Sequence, residues 1–249
     1  DHVRAVMASP VAEYPTEVRR QLIETAIRLG TNLVIGCEHL RVNEHGHQQF
    51  NSLLCATPGH RSVACYDKRF LVPWGEFTPY GFSAAAARPA WFYDHGNHAC
   101  PISVDTHVGR LTFAPAICYD ILFPSQFAGV ARRGQACRGV DFLVHCGAEG
   151  QDATGLLSEL LQREARLRAI ESRRAMVRSI NFGYSGIIDG TGRVVQKLPR
   201  TPVKKPVTLG AVPIDTRCSV YTHTGDWPVV AVCALFACTA FFRRRPARE

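Results

Sequence analysis

Tyr66-Asp67-Lys68-Arg69-Phe70-Leu71-Val72-Pro73-Trp74-Gly75-Glu76-Phe77 and, about forty residues on, Ala116-Ile117-Cys118-Tyr119-Asp120-Ile121-Leu122-Phe123-Pro124 decide how this chain is read. Both place reactive side chains at the end of an apolar run. A strand that ends in this way presents them at the rim of a sheet, where a substrate can reach them. Together the two segments supply an ammonium, a carboxylate and a thiol. The combination points to covalent catalysis, with Cys118 as nucleophile, Lys68 as a fixed positive charge and Glu76 as a supporting carboxylate. A lone free cysteine is more often a buried structural thiol, so the argument rests on the neighbours of Cys118.

Outward from these segments the chain alternates between elements. Residues 3–8 read as a short strand, and residues 16–29 as a helix with Thr16 as N-cap and Gly30 as its stop. Residues 32–36 read as a buried strand. Residues 50–56 and 62–66 form a strand pair around the turn Thr57-Pro58-Gly59-His60. Residues 111–116 are the strand that feeds Cys118, and residues 141–145 another. Residues 155–174 read as a long helix, with Leu156, Leu160, Leu167 and Ile170 as its apolar stripe and its arginines mostly turned away. Strands at 176–181, 185–188 and 193–198 follow; Asp189-Gly190-Thr191-Gly192 joins the last two, its glycines supplying positive φ. Residues 207–214 read as a final strand. This pattern alone gives one α/β or α+β domain.

Composition narrows the function. A chain of 249 residues can bury a single sizeable core, and 46% hydrophobic with 20% charged residues excludes a disordered chain. The net charge of +8 raises nucleic-acid binding, but Lys and Arg are scattered, with short clusters such as Arg132-Arg133 and Lys204-Lys205. No basic stripe interleaved with aromatics appears, so no nucleic-acid partner is expected, and the charge suits an anionic lipid surface instead. The ten cysteines contain no CxxC pair, so no metal and no cofactor is expected. Residues 227–242 are uncharged and nearly all apolar, and Arg243-Arg244-Arg245 follows at once. As a helix this run is about 24 Å long against a bilayer core of about 30 Å, which leaves a buried terminal helix and a membrane span both open. The arginines favour a span ending in the cytoplasm. The chain opens at Asp1, not Met, and reads as a piece of a longer product.

The segment YDKRFLVPWGEF resembles the lysine segment of the carbon–nitrogen hydrolase (nitrilase) superfamily, most of all its membrane-bound branch, the apolipoprotein N-acyltransferases. AICYDILFP resembles the nucleophile segment of that family. Further matches lie at Arg168-Ala169-Ile170-Glu171, along the run from Asn181 to Val194, and at Gly225-Asp226-Trp227-Pro228. Five collinear segments, from about residue 50 to residue 228, make this far more specific than any one of them. The resemblance implies an α+β fold, a four-layer α-β-β-α sandwich, over residues 1–220, with its N-terminal part truncated. Residues 221–249 would form a hydrophobic, transmembrane C-terminal helix and a basic tail. It also implies a location in the bacterial cytoplasmic membrane with the catalytic domain on its outer side.

The resemblance implies a reaction too. A fatty acyl group would pass from a phospholipid donor to Cys118 as a thioester, and from there to the N-terminal cysteine amine of a diacylglyceryl lipoprotein. Lys68 would face the oxyanion, Glu76 would support it, and Arg168 with Glu171 would be an ion pair holding the sandwich. The general base falls in Ser9-Pro10-Val11-Ala12-Glu13-Tyr14-Pro15, where a gapless overlay puts Val11 on the glutamate position and a two-residue shift puts Glu13 there. Glu13 is the expected base, and Glu38 is a third carboxylate nearby in sequence. Three departures stand out. Asp120 replaces a glutamate, Phe70 a frequent histidine, and His145-Cys146-Gly147-Ala148-Glu149 an asparagine-containing aromatic stretch that shapes the acyl pocket. Two alternatives therefore remain: an amidase that uses water as acceptor, and a degenerate domain that binds lipid or a partner without turnover.

Overall fold

A computed structural model of the chain describes residues 15–43, 46–79, 92–97, 100–127, 139–149, 154–198, 207 and 209–243. Two sheets face each other. The smaller has the order β1–β2–β3, from Leu33–Asn43, Gly46–Ala56 and Val63–Asp67, all antiparallel. The larger runs β4–β5–β6–β7–β8–β9, from Ile102–Thr106, Gly109–Ile117, Phe142–Ala148, Ala175–Asn181, Ser185–Ile188 and Val194–Leu198. Its three central strands, β5, β6 and β7, are parallel, and antiparallel strands close both sides. The centre is apolar on both faces, as a doubly covered parallel sheet requires: the first five residues of β6, Phe142 to Cys146, are all buried.

Helices cover the outer faces. α1 (Pro15–Leu29) lays Leu22 and Ala26 on Leu33, Cys37, Leu54 and Ala56 of the small sheet. α2 (Leu156–Ser172) lays Leu161, Ala165 and Ala169 on Ala114, Leu143 and Met176 of the large one. Between the sheets Leu53, Cys55 and Tyr66 meet Ile102, Phe113, Phe142 and Val177. The layer order is helix, sheet, sheet, helix, and the expected sandwich is present. Two helices follow it: the short α3 (Val220–Thr224) and α4 (Trp227–Arg243).

Several expectations change. The helix expected from Thr16 begins at Pro15, a residue suited to a first turn because its missing N–H would be unpaired there. The strand expected at 3–8 lies outside the described residues. β4 is an addition that the sequence reading passed over. Of residues 207–214 those described form no strand; Gln196 Nε2 donates instead to the Leu209 carbonyl at 2.8 Å, so a side chain takes the place of a ladder partner.

The largest correction concerns α2. Its leucine stripe faces out, with Leu156 70% and Leu160 48% exposed, as are Leu167 and Ile170. The buried face is Ser158, Leu161, Ala165, Arg168, Ala169 and Ser172, mostly small residues that let the helix axis approach the sheet closely. Arg168 is therefore inside, with Glu171 at 2.9 Å and Glu164 at 3.7 Å, and the expected ion pair is formed. Finally, α4 has 17 residues, about 26 Å of helix. No described helix is long and apolar enough to cross a membrane. The expected span at 227–242 is thus a helix that is short for the purpose, although apolar and exposed along its length.

Candidate active site

β5 ends at Ile117 and the chain turns at once into a single 3₁₀ turn, Cys118–Leu122. Cys118 itself sits at φ 48°, in the left-handed region that a non-glycine residue enters only under constraint from its surroundings. The constraint is visible. Asp120, wholly buried, accepts from the Ile117 amide at 3.0 Å and so closes the turn on itself. Its carboxylate also accepts from the Phe70 amide at 2.9 Å and the Tyr66 hydroxyl at 2.8 Å. The Tyr66 oxygen in turn accepts from Gln126 Nε2 at 2.6 Å, so its own proton points to Asp120. One carboxylate thereby ties the thiol turn to the segment that carries Lys68. Burial pushes the Asp120 carboxyl up, and its three donors work against that rise.

From below, Gly147 of β6 supports the turn. A Cβ on Gly147 would lie 3.2 Å from Cys118 Cα and 3.3 Å from both its Cβ and its amide nitrogen, so only a bare backbone fits comfortably. His145 Nε2 lies 3.1 Å from the Cys118 carbonyl, and Arg178 Nε points at His145 Nδ1 at 3.3 Å. With Nδ1 accepting from arginine, Nε2 carries the proton and donates to the carbonyl. Burial first, and the Arg178 charge second, hold His145 neutral, well below the usual imidazole range. Arg178 Nη2 is bound to Glu149 at 2.8 Å, and Ser158 Oγ donates to the same carboxylate at 2.5 Å. Glu149 and Arg178 are almost fully buried.

The facing sheet supplies the cation. β1, β2 and β3 turn Glu38, Asn51 and Tyr66 inward, and Lys68 follows just past the end of β3. The Lys68 amide donates to the Asn51 carbonyl at 2.8 Å, and its own carbonyl accepts from Gly96 at 2.8 Å. A side chain on Gly96 would run into the Asp67 carbonyl, so the chain passes there only as glycine. Lys68 has 0% exposure, and its Nζ grips both oxygens of Glu76, at 2.8 and 2.7 Å. Glu76 also accepts from the Val72 amide at 2.8 Å and Asn51 Nδ2 at 3.3 Å. Glu38 is held by the Tyr93 hydroxyl at 2.7 Å, and the Tyr93 amide donates to the Glu76 carbonyl at 2.9 Å.

The charges of this sheet reach the thiol. Burial pushes Cys118 above the ordinary thiol value; Lys68 pulls it back, while Glu76 and Glu149 add to the rise. Of the sequence-predicted residues, Lys68 and Glu76 pair directly, and Cys118 lies within reach of their charges. Glu13, the fourth, lies outside the described residues. Sequence reasoning missed Glu149, Arg178 and His145 as a connected network beneath the thiol. The only signal was that His145-Cys146-Gly147-Ala148-Glu149 departs from the family pattern, which marks a difference without giving a partner. A thiol on a strained turn, under the charge of a buried ammonium, suits nucleophilic attack on a carbonyl carbon.

Comparison with known proteins agrees with the geometry. The chain is 32% identical over 208 residues to an apolipoprotein N-acyltransferase of Bradyrhizobium diazoefficiens, covering 80% of this chain and 36% of that protein. It is 31% identical over 252 residues to one from Bordetella bronchiseptica, covering 95% and 45%. The chain therefore spans less than half the length of these curated relatives. Among solved structures, a carbon–nitrogen hydrolase superfamily protein of Xanthomonas campestris, with an arsenic adduct in its active site, shares the fold with TM-score 0.57 at 18% identity, covering 92% of this chain and 84% of that one. An amidase of Nesterenkonia sp. AN1, with acrylamide added at its active-site cysteine, gives TM-score 0.58 at 16% identity, with coverages of 92% and 86%. The family model for carbon–nitrogen hydrolases takes in residues 2–216, nearly the whole sandwich together with both reactive segments, and the chain belongs to that family.

Proposed function

We propose that the chain is the catalytic part of an N-acyltransferase that moves a fatty acyl group from a phospholipid to the N-terminal cysteine amine of a lipoprotein. The observation that carries this reading is that Asp120 ties the strained turn of Cys118 to Tyr66 and Phe70, two residues either side of the fully buried Lys68 with its partner Glu76. Cys118 Sγ attacks the ester carbonyl carbon; the C–S bond forms, the ester C–O bond breaks, and the thiol proton leaves with the lysophospholipid hydroxyl. The lipoprotein amine then attacks the thioester; the C–N bond forms, the C–S bond breaks, and the amine proton returns to sulfur. Glu13 is the proton carrier in both steps, and Lys68 faces the oxyanion of each tetrahedral intermediate.

Two further features favour a lipid substrate. Phe70 stacks on Phe123 with ring centroids 4.0 Å apart, and Tyr119 meets Phe123 edge-on at 5.4 Å, so an aromatic wall stands beside the thiol turn. α4 offers an apolar surface along its length, with Trp227 75% and Phe236 70% exposed. The 17 described residues of α4 fall short of a full span; we assign the helix to the membrane, with the sandwich on the outer side of the bacterial cytoplasmic membrane and the arginines that follow towards the inner side. Incubation with phospholipid vesicles followed by intact-protein mass spectrometry tests the reading. A fatty-acyl mass increment is expected on the wild type and absent from Cys118→Ala; an increment retained by Cys118→Ala would end the nucleophile assignment.

A second reading, lipid binding without turnover, draws on a specific observation. Glu76 is spoken for by Lys68, Glu149 by Arg178 and Ser158, and burial keeps the Cys118 thiol in its neutral form. In the same experiment that reading gives vesicle co-sedimentation with no acyl adduct.

A further inference from the structure

The outer face of the small sheet carries three groups that the acyl-transfer site does not use. His39 of β1 and Cys65 and Asp67 of β3 turn towards one point across Ser52 of β2, their metal-capable atoms all within 4.8 Å of one another. We propose that His39 Nδ1, Cys65 Sγ and Asp67 Oδ1 bind a zinc-class divalent ion.

The geometry is the first argument. A tetrahedral ion with Zn–S of about 2.3 Å and Zn–N and Zn–O of about 2.0 Å sets its ligands about 3.3 Å (N···O) and about 3.5 Å (S···O and N···S) apart. The observed separations are 3.1 Å for His39 Nδ1 to Asp67 Oδ1, 3.4 Å for Cys65 Sγ to Asp67 Oδ1, and 3.6 Å for Cys65 Sγ to His39 Nδ1. All three agree within about 0.2 Å, so the ligand atoms need little movement to take up the ion. A donor set of one sulfur, one imidazole and one carboxylate matches the preferences of zinc rather than those of calcium or magnesium.

The surroundings are the second. Arg41 holds the other carboxylate oxygen, Asp67 Oδ2, at 3.0 Å, and Ser52 Oγ donates to Oδ1 at 2.6 Å, so the carboxylate is fixed with Oδ1 towards the other two ligands. The His39 ring leans on Phe50 with centroids 5.9 Å apart, which sets the direction of Nδ1. The neighbouring surface under α1 is apolar, formed by Leu22, Ala26, Leu54 and Ala56. Three polar groups thus gather beside an apolar surface, with Asp67 Oδ1 near both of the other ligand atoms. The side chains of His39 and Asp67 keep 10% and 14% exposure, so the group is not sealed from solvent. The ion would clamp β1 to β3 and fix Asp67, the residue that precedes Lys68.

Without an ion the same atoms satisfy one another by hydrogen bonds, and the test separates the two states. The whole chain, carrying Cys118→Ala to remove the reactive thiol, is stripped with chelator and titrated with Zn²⁺ against a competing dye. X-ray absorption is then recorded on the loaded protein. The expected result is one equivalent bound, with sulfur at about 2.3 Å and lighter ligands at about 2.0 Å. Cys65→Ser and His39→Gln should each bind at least about a hundredfold more weakly, more than the loss expected for groups that only orient a ligand. A shell without sulfur, binding unchanged in Cys65→Ser, or no uptake by the wild-type site would each overturn the proposal. The absorption spectrum needs no substitution at His39, Cys65 or Asp67, so misfolding of a ligand variant leaves the test intact.

Discussion

Asp120→Asn probes the joint between the two halves of the site. All three neighbours of the carboxylate are donors: the Ile117 amide at 3.0 Å, the Phe70 amide at 2.9 Å and the Tyr66 hydroxyl at 2.8 Å. An asparagine must put its NH₂ group where one carboxylate oxygen was. Placed at Oδ2 it opposes two donors, and placed at Oδ1 it opposes one, so the second orientation wins and the Phe70 amide is orphaned. A buried unsatisfied donor costs about 1–3 kcal/mol, and the two remaining bonds lose their charge assistance, roughly half their strength. Relief from burying a charge offsets part of this, since burial already pushes the carboxyl up. A net loss of about 3 kcal/mol follows, or about 6–12 °C in Tm for a domain of this size. Phe70 lies two residues from Lys68, so the thiol turn and the ammonium should lose register as well. The assay is thermal unfolding beside the rate of Cys118 acylation or alkylation, with Asp120→Glu as the charge-retaining control. An Asp120→Asn protein within about 1 kcal/mol of wild type, with unchanged Cys118 reactivity, would refute the clamp.

Other perturbations follow the same reasoning. Glu149→Gln leaves Arg178 as a buried charge without its counter-ion, and breaking a pair of this kind costs about 3–5 kcal/mol, measurable by urea unfolding. Burial raises the Cys118 thiol and Lys68 lowers it, so alkylation of Cys118 should accelerate with pH up to and beyond 9.0, and Lys68→Met should move the profile further alkaline. A plateau by pH 7 would contradict this. On α2, Leu160→Gln should change stability by no more than about 0.5 kcal/mol, whereas Leu161→Ala should cost about 2–5 kcal/mol. The reverse order would restore the leucine stripe as the packing face.

What the sequence by itself determined is what is local along the chain. Lys68 and Glu76 lie eight residues apart in one motif, and the hydrogen bonds that join their side chains stay within it. Cys118 follows directly on an apolar strand, so its place at the end of β5 could be read before any coordinates. Strand positions were legible for the same reason, because alternation and turn residues act over a few neighbours. The tertiary structure alone decided what depends on approach between distant segments. The buried face of α2 is set by how closely small side chains let the helix sit on the sheet, which a count of leucines cannot register. Glu149 and Arg178 meet across adjacent parallel strands, and His39 reaches Cys65 across an intervening one. Neither pairing leaves a spacing in the sequence, because register between strands, not distance along the chain, brings those atoms together.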